Sequence, residues 1–437
     1  MGMLNLKSYA LRTSVALSAM AGFAFIAVRA QTPSDVKPAH EFVIRSVRVF
    51  DGSRVIPNTD VWVHDGRIRA IGAHVTAPAA VRAIDGTGKT LLPGLIDSHV
   101  HTWGAALEQA LVFGVTTALD MFTDFRYADR VKKEQTADKG LALADLRSAG
   151  TLVTAPKGHG TEYGLAIPTI TSPDEAQAFV DARIAEGSDY IKIIYDDGKA
   201  YRLGFPTLTK DTLAAVIAAA HKRHKLAVVH IGSLQAAREA IEAGADGLMH
   251  LFIDRSPDGT FAALVAEHRA FVVPTLCVLA SITHVPAGKQ LAADRQLQPY
   301  LSADAASNLG RMFPRKNGEL AFAQETVRLL RASHVPVLAG SDAPNPGTAH
   351  GASMHEELQL LVESGLTPTE ALAAATSVPA VAFHLADRGQ IVAGKRADLL
   401  LVQGDPTVDI RDSRNIVSVW KLGVEVDRAA YRASLNK

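Results

Sequence analysis

Four histidines and one aspartate of this sequence stand at or just after the ends of apolar, strand-like runs. They are His99, His101, His230, His250 and Asp342. Alternate residues of a strand point to the same side, so the imidazoles of His99 and His101 can reach one ion. Imidazole nitrogens and carboxylate oxygens are usual ligands of zinc. The five residues together predict a metal centre that could activate water.

Lys192 is a sixth residue of interest because it lies inside the apolar run Tyr190–Ile194. A bare ammonium facing the interior of a protein is strongly penalised, so something must accommodate it. One solution is reaction with carbon dioxide to give a carbamate, an anion with two oxygens that can bridge two metal ions. The other is an ion pair with a carboxylate such as Asp342, and spacing does not separate the two.

The elements that must position these residues are eight apolar runs that alternate with helical patterns. The runs lie near 95–100, 115–121, 151–154, 190–194, 227–230, 247–251, 271–276 and 335–340. Such alternation is typical of a parallel sheet wrapped by helices, and eight units close a barrel. We therefore expect an α/β fold, a (β/α)8 TIM barrel, with the site at the carboxyl ends of the strands.

Short β-rich runs broken by turn dipeptides occupy residues 41–92, and residues 389–426 have the same texture. These two ends are expected to pair into one small β-sandwich. The predicted organisation is a signal peptide at 1–30, the first part of the sandwich at 31–92, the barrel at 93–387 and the rest of the sandwich at 388–437.

The N-terminus has Lys7 and Arg12, an apolar run over 14–28, and a small-residue cleavage site ending at Ala30. This pattern predicts export to the periplasm or the medium after cleavage near Ala30. The alternative is an uncleaved membrane anchor, although the run is shorter than the roughly 20 residues of a spanning helix. The single cysteine, Cys277, lies in an apolar stretch and is expected to be a buried structural thiol.

The chain has 45 basic and 45 acidic residues among 437, and 48% of its residues are hydrophobic. Balanced charge argues against a nucleic-acid partner, for which many phosphates must be neutralised. No later apolar run is long enough to span a bilayer, so no membrane span is expected in the mature chain. A small-molecule substrate is expected, and the sequence leaves a homo-oligomer open.

The sequence resembles the amidohydrolase superfamily, and more narrowly its imidazolonepropionase-like and metal-dependent dipeptidase-like members. The resemblance covers nearly the whole mature chain. The matching stretches are Leu92–His101, Gly114–Thr117, Tyr190–Ile193, His230, His250, Ala339–Asp342 and Gly394–Leu399. This set, in this order, is highly specific.

The resemblance implies a site with two divalent ions, usually zinc. His99, His101 and Asp342 would hold one ion, His230 and His250 the other, and a carbamate on Lys192 would bridge them. A hydroxide between the ions would attack the substrate, since metal binding brings the pKa of water towards neutrality. Asp342 would take its proton and pass it to the leaving amine, which makes Asp342 the catalytic residue.

The resemblance is incomplete near the substrate. Ile231 follows His230 where relatives carry an aromatic residue or a second histidine, and Met249 stands where glutamate is common. His159 and Tyr163, in a glycine-containing loop after the third strand, and Tyr195 and Asp196, after Lys192, are candidate substrate-binding residues, with ordinary loop or strand-end hydrogen bonding as the alternative.

Two arginines and three further polar residues have weaker claims to a role. Arg311 and Arg315 could hold a substrate carboxylate if their segment covers the mouth, although solvated surface is the simpler interpretation. Asp97 is expected to orient a ligand histidine. His350 and His355 are expected to be structural.

The expected function is hydrolysis of an amide bond, in a dipeptide-like or N-acyl-amino-acid substrate, by an exported metal-dependent enzyme. Lactone, ester or phosphotriester hydrolysis is the nearest alternative, because the same hydroxide attacks any suitable electrophilic centre. A non-catalytic binding module is a further alternative, but such a protein is expected to have lost ligands, and all six are present. Lys192 argues against a deaminase.

Overall fold

The computed structural model describes residues 41–136 and 138–435. The predicted signal peptide and its cleavage site lie outside them. The strands are β1 (Phe42–Phe50), β2 (Val55–His64), β3 (Arg67–Gly72), β4 (Arg82–Asp85), β5 (Lys89–Pro93), β6 (Leu95–Val100), β7 (Val115–Asp120), β8 (Asp145–Ser148), β9 (Ile191–Ile194), β10 (Ala227–His230), β11 (Gly247–Met249), β12 (Phe271–Val273), β13 (Leu399–Gln403), β14 (Ile416–Lys421) and β15 (Val424–Glu425).

The helices lie mainly between and after the strands β6 to β12. They are α1 (Ala106–Val112), α2 (Phe125–Glu134), α3 (Ala176–Ala185), α4 (Lys210–Lys222), α5 (Leu234–Glu242), α6 (Phe261–Glu267), α7 (Leu276–Ile282), α8 (Ala287–Ala292), α9 (Ala303–Leu309), α10 (Leu320–Ala332), α11 (Ala352–Glu363), α12 (Pro368–Ala374), α13 (Ser377–Ala382) and α14 (Arg428–Ser434). Short 3-10 turns add Asp138–Ala142, Pro173–Glu175, Lys199–Tyr201, Gln298–Tyr300 and Ile410–Arg414. Across the described part of the chain, no helix is both long and apolar enough to cross a membrane.

Strands from both ends of the described chain lie in one eight-stranded sheet. Its order is β15-β14-β13-β5-β1-β2-β3, and β4 also pairs with β1. The strands β4 and β5 run parallel to β1, whereas β13 is antiparallel to β5 and joins the C-terminal strands to the N-terminal ones. Buried apolar residues of β1, β2, β13 and β14 form a core on this sheet.

The middle of the chain forms two parallel sheets, of order β6-β7-β8 and β12-β11-β10-β9. Regular strand pairing does not close them into one ring. Single parallel bridges lie between them: Val153 pairs with Ile193, Val272 with Val337, and Val100 with Ala343. The architecture is thus a mixed α/β fold in which the parallel strands neighbour one another in chain order.

Two of the eight predicted strands differ from the structure. The third regular strand is β8, at Asp145–Ser148, and only Val153 of the predicted run 151–154 makes a β-bridge. The predicted eighth strand, 335–340, is represented by the bridge at Val337. In both places the chain bends into the site shortly after the pairing residues, which leaves little length for a regular ladder.

Alternate residues of the parallel strands enter different apolar clusters. Ala227 and Val229 of β10 pack into the large core shared with the helices, whereas Val228 packs with residues from the other parallel strands. This second cluster includes Ile96, Leu119, Met249, Val273 and Leu338. Both faces of these strands are therefore covered, as in parallel sheets generally.

Local sequence explains several helix starts. Thr209 caps α4 by accepting from the N–H of Thr212, and Ser233 caps α5 by accepting from that of Ala236. Thr367, with Pro368 and Glu370, forms a capping box at the start of α12.

A buried ion cluster connects β8 to the C-terminal part of the chain. The carboxylate of Asp145 accepts Arg388 Nη1 at 2.6 Å, Arg396 Nη2 at 2.8 Å and Lys421 Nζ at 2.7 Å. We call these four residues the Asp145 cluster. Because Lys421 belongs to β14, the cluster fastens the terminal sheet to the parallel strands that carry the candidate site.

Candidate active site

His99, His101 and Asp342 meet at the carboxyl end of β6. Asp342 Oδ1 lies 3.3 Å from His99 Nε2 and 3.1 Å from His101 Nε2. One ligand atom from each of the three side chains falls within 4.8 Å of the others. His101 Nδ1 donates to the carbonyl of Phe122 at 3.2 Å, which leaves its Nε2 unprotonated in the neutral ring.

The chemistry of this group fits a divalent ion. His99 is completely buried, yet neither of its ring nitrogens has a hydrogen-bond partner among the described residues, and the same holds for Asp342 Oδ1. Buried polar atoms without partners are costly, and a cation bound between His99 Nε2 and Asp342 Oδ1 would satisfy both of these atoms. Burial lowers the pKa of His99 well below its usual value, which favours the neutral imidazole that binds metals.

His230 and His250 lie beside this group, at the ends of β10 and β11. The ring centre of His250 is 4.5 Å from those of His99 and His230. His250 Nδ1 lies 2.7 Å from Thr275 Oγ1, and the Thr275 hydroxyl donates to the carbonyl of Pro274 at 2.8 Å. The hydroxyl must then accept from Nδ1–H, so His250 Nε2 is free to bind a ligand.

Burial also keeps these two rings neutral. It lowers the pKa of His250 well below its usual value and that of His230 to about 4, although Asp196 acts in the opposite direction on His230. Asp196 Oδ2 lies 3.4 Å from His230 Nε2. Neutral imidazoles side by side can share a cation, whereas charged ones would repel it.

Lys192 projects from β9 towards the same group and is 2% exposed. Its ammonium makes no hydrogen bond or ion pair with any residue that the structure describes. Burial lowers the pKa of Lys192 to about 7, while the charges of Asp342 and Asp120 favour the protonated amine. Asp120 itself is occupied, because it accepts from the N–H and hydroxyl of Thr102 and from the hydroxyl of Ser148.

Asp97 joins the strand of His99 to the segment of Asp342. Its Oδ1 accepts from the backbone N–H groups of His99, at 3.2 Å, and Ser341, at 2.9 Å. Its Oδ2 accepts from the Ser341 hydroxyl at 2.5 Å. Asp97 therefore orients the two ligand segments through their backbones, rather than an imidazole ring as the sequence suggested.

The metal-binding group borders a cavity of about 480 Å³. His101, Lys192, His230, His250 and Asp342 line it, together with apolar side chains and a few polar ones. Such a volume is typical of sites for small molecules.

Two of the three candidate tyrosine and histidine residues for substrate binding line the cavity, and the third does not. His159 and Tyr163 line the cavity, and His159 Nδ1 is held by Glu162 Oε1 at 2.5 Å. Tyr195 does not line it: its hydroxyl donates to Glu239 Oε2, and its ring packs in the core with the helices. Tyr195 is three residues from Lys192, so strand alternation puts it on the opposite face, and Asp196 faces the cavity instead.

The segment 284–319, which contains Arg311 and Arg315, includes α8 and α9 and contributes to the cavity wall. Phe313, Pro314, Arg315 and Asn317 line the cavity, whereas Arg311 does not. The roles of Asp120 and Thr275 were missed from sequence, since only the folded chain brings them to their partners, whereas Glu162 lies only three residues from His159 and the spacing could have suggested the pair. His350 donates to the carbonyl of His101 at 2.9 Å, a structural contact that supports a ligand residue.

Comparison with known proteins gives a consistent result. Residues 90–426 match the family described as the amidohydrolase family. An imidazolonepropionase of Deinococcus radiodurans is 27% identical over 383 residues, which cover 80% of this chain and 86% of that protein. An uncharacterised protein of Mycobacterium tuberculosis is 28% identical over 324 residues, covering 72% of this chain and 78% of that one.

Solved structures resemble the chain over most of its length. A Xaa-Pro dipeptidase with bound methionine superimposes with a TM-score of 0.71 at 23% identity, covering 88% of this chain and 99% of that one. A putative prolidase from Bifidobacterium longum gives a TM-score of 0.71 at 23% identity, covering 92% and 100%. At this level of identity the likeness concerns the fold alone.

Proposed function

Because this chain belongs to the amidohydrolase family and is a hydrolase that acts on carbon–nitrogen bonds, we propose that it cleaves an amide bond in a dipeptide-like or N-acyl-amino-acid substrate with the help of two divalent metal ions. The observation that carries the proposal is the convergence of His101, Lys192, His230, His250 and Asp342 on one cavity, with His99 buried beside them and with ligand atoms that lack partners among the described residues. Zinc is the expected metal, since imidazole and carboxylate are its common ligands.

In this proposal His99, His101 and Asp342 hold one ion, and His230 and His250 hold the other. When bound, the ions would supply a water that ionises near neutral pH and would polarise the scissile carbonyl. Thr275 and the carbonyl of Phe122 fix the tautomers of His250 and His101, so that each presents Nε2 to the site.

As a carbamate, Lys192 would supply two oxygens to the metal-binding group. Its neutral amine would form a nitrogen–carbon bond to carbon dioxide and release one proton to water, so that a side chain that is otherwise a buried amine or ammonium without partners becomes an anion. Burial supports this step, because a pKa of about 7 leaves much of the amine uncharged at neutral pH. The reaction removes the penalty of an unpaired buried ammonium.

Asp342 acts as the proton carrier in the proposed reaction. It accepts the proton of the attacking water and delivers it to the leaving nitrogen, for which it is placed beside both histidines of β6. His159, held through Nδ1 by Glu162, lines the same cavity and is placed to contact the substrate.

The proposal also includes the architecture and the location of the protein. We infer that the parallel strands form a (β/α)8 barrel over residues 93–387, supported by the bridges at Val153, Val272 and Val100 and by the apolar cluster that unites alternate strand residues. Residues 41–92 and 388–435 would be the described parts of the smaller β domain.

Export rests on the sequence of residues 7–30 alone. Expression of the full chain, followed by N-terminal sequencing, should find a mature protein that begins at Gln31 outside the cytoplasm. A full-length chain retained in the membrane fraction would instead indicate an uncleaved anchor.

The enzymatic proposal is tested by metal analysis and turnover measured together. We expect about two zinc equivalents per chain and hydrolysis of members of a pool of dipeptides and N-acyl-amino acids. Asp342→Asn should abolish turnover, and Lys192→Ala should lose both turnover and paired metal loading. Lys222→Ala, which removes an exposed lysine at the end of α4, is the matched control.

Other outcomes would contradict the proposal. Hydrolysis of lactones, esters or phosphotriesters without amide turnover would overturn the assigned bond type. A metal-free protein without turnover would overturn the mechanism and favour a binding module. Full paired metal loading in Lys192→Ala would refute the bridging role of Lys192.

A further inference from the structure

The carboxylates that line the cavity are already engaged. Glu162 Oε1 pairs with His159 Nδ1 at 2.5 Å, and its Oε2 accepts from the N–H of Gly160 at 2.6 Å. Asp196 is 5% exposed, accepts from the N–H of Gly198 at 2.9 Å and lies against His230. The third carboxylate, Asp342, is assigned above to the metal-binding group with His99 and His101. Among the described residues, the cavity wall therefore offers no unengaged carboxylate to a substrate ammonium.

Outside the metal-binding group, to which Lys192 is assigned above, one cation of the wall is free by the same criterion. Arg315 lines the cavity, and only its backbone carbonyl is engaged, as the acceptor of Asn317 Nδ2 at 3.2 Å. Its guanidinium makes no ion pair or hydrogen bond with any residue in the described part of the chain. A guanidinium matches a carboxylate in geometry and charge, so Arg315 is suited to a substrate carboxylate.

Much of the rest of the wall is apolar. Phe122, Leu152 and Ile194 form a buried cluster that faces the cavity. Tyr163 and Leu203 continue it to the mouth, where they are 59% and 54% exposed. An aromatic or branched group would bury this surface, whereas a charged group there would lose its hydration without compensation.

We propose that this site, provided that it hydrolyses amides as inferred above, selects N-acyl-amino acids with a large apolar acyl group over dipeptides with a free amino terminus, and that Arg315 binds the substrate carboxylate. An acyl group replaces the α-ammonium of a dipeptide by an uncharged carbon. The site then meets one anion with its one free cation and presents apolar surface to the acyl chain.

A matched pair of substrates tests the first part. L-Phenylalanyl-L-leucine and 3-phenylpropanoyl-L-leucine differ only in the α-amino group. We expect kcat/KM at pH 7 to be at least about 10-fold higher for the acyl compound, because the dipeptide must lose the hydration of its α-ammonium without gaining an ion pair in the site. The difference should narrow at pH 9, where the amino terminus, with a pKa of about 8, is neutral.

Equal or faster turnover of the dipeptide at pH 7 would overturn this selectivity while leaving amide hydrolysis intact. Absence of turnover for both compounds, together with absence of metal, would instead be a failure of the proposed function. The two failures are therefore distinguishable in one experiment.

Arg315→Met tests the second part against Arg311→Met. Arg311 lies four residues before Arg315 and is also exposed. It donates to Asn308 Oδ1 and does not line the cavity. For wild type we expect 3-phenylpropanoyl-L-leucine to be preferred to its carboxamide by about 10-fold or more, as charged hydrogen bonds are the strong ones.

Arg315→Met should remove that preference mainly through KM, Arg315→Lys should restore part of it, and Arg311→Met should retain it. An unchanged preference for the acid in Arg315→Met would overturn the role of Arg315.

Discussion

Removal of the Asp97 carboxylate should both destabilise the protein and weaken its metal site. Asp97 is 1% exposed and accepts three hydrogen bonds, from His99 N–H, Ser341 N–H and the Ser341 hydroxyl. Asp97→Ala leaves these three donors buried without an acceptor. At about 1–3 kcal/mol for each orphaned group, and with incomplete additivity at one site, the free energy of unfolding should fall by about 3–6 kcal/mol.

Asp97→Asn is the matched control for this change. Its carbonyl oxygen can accept from both N–H groups, and the Ser341 hydroxyl can turn to accept from the new amide. We expect this variant to stay within about 1 kcal/mol of wild type. Urea denaturation of the metal-free proteins measures the stability difference.

Zinc affinity provides the second readout for Asp97. Since Asp97 joins the strand of His99 to the segment of Asp342, zinc affinity should fall about 10- to 100-fold in Asp97→Ala. Titration of the metal-free variants with zinc measures it. Equal losses of stability in the Ala and Asn variants, or an Ala variant within 1 kcal/mol of wild type, would refute the reasoning.

Three further predictions concern buried groups away from the cavity. Burial raises the pKa of Asp145, but the three cations of its cluster outweigh this effect and hold the pKa well below its usual value. Asp145→Asn should therefore lower the free energy of unfolding by about 3 kcal/mol at pH 7. Urea denaturation should show that this loss becomes smaller below about pH 4. Burial and the neighbouring Glu357 raise the pKa of Glu356 to about 8, so wild type should lose stability between pH 5 and 9 more steeply than Glu356→Gln, by up to about 4 kcal/mol in thermal or urea unfolding. Burial raises the pKa of Cys277, whose thiol donates to the carbonyl of Ser341, so a thiol reagent should react only after unfolding. A stability loss in Asp145→Asn that does not change with pH would contradict the first prediction. The same pH dependence of stability in wild type and Glu356→Gln would contradict the second, and rapid labelling of Cys277 in the folded protein the third.

The sequence predicted most where the signal was local. The spacing of His99 and His101 follows from strand alternation, and residues that follow parallel strands meet at one end of a sheet. Strand alternation acts within a few residues, and the second rule needs only the succession of strands along the chain. Together they predict that His230, His250 and Asp342 lie near one another.

It predicted least where an element is short or depends on partners far away. The strand β8 contains Arg147 and lacks a continuous apolar run, so the more apolar 151–154 was chosen instead. The chemistry of Tyr195 favours a role in the site, whereas strand alternation puts it opposite Lys192. The partners of Asp120 and His250 lie on or just after other strands, so they become visible only when the strands are assembled.

Backbone strain explains why these side chains need the whole fold to hold them. His250, Thr275 and Asp342 have φ values of 74°, 50° and 51°, in the left-handed region that β-branched and bulky residues avoid. Each such residue costs on the order of 1 kcal/mol or more and persists only if its surroundings impose it. Here the N–H of His250 donates to the carbonyl of Val273, and that of Asp342 to the carbonyl of His99, so the neighbouring strands impose the turn. The strand ends thus give up local stability, and the turns direct the imidazole and the carboxylate into the cavity rather than along the strand.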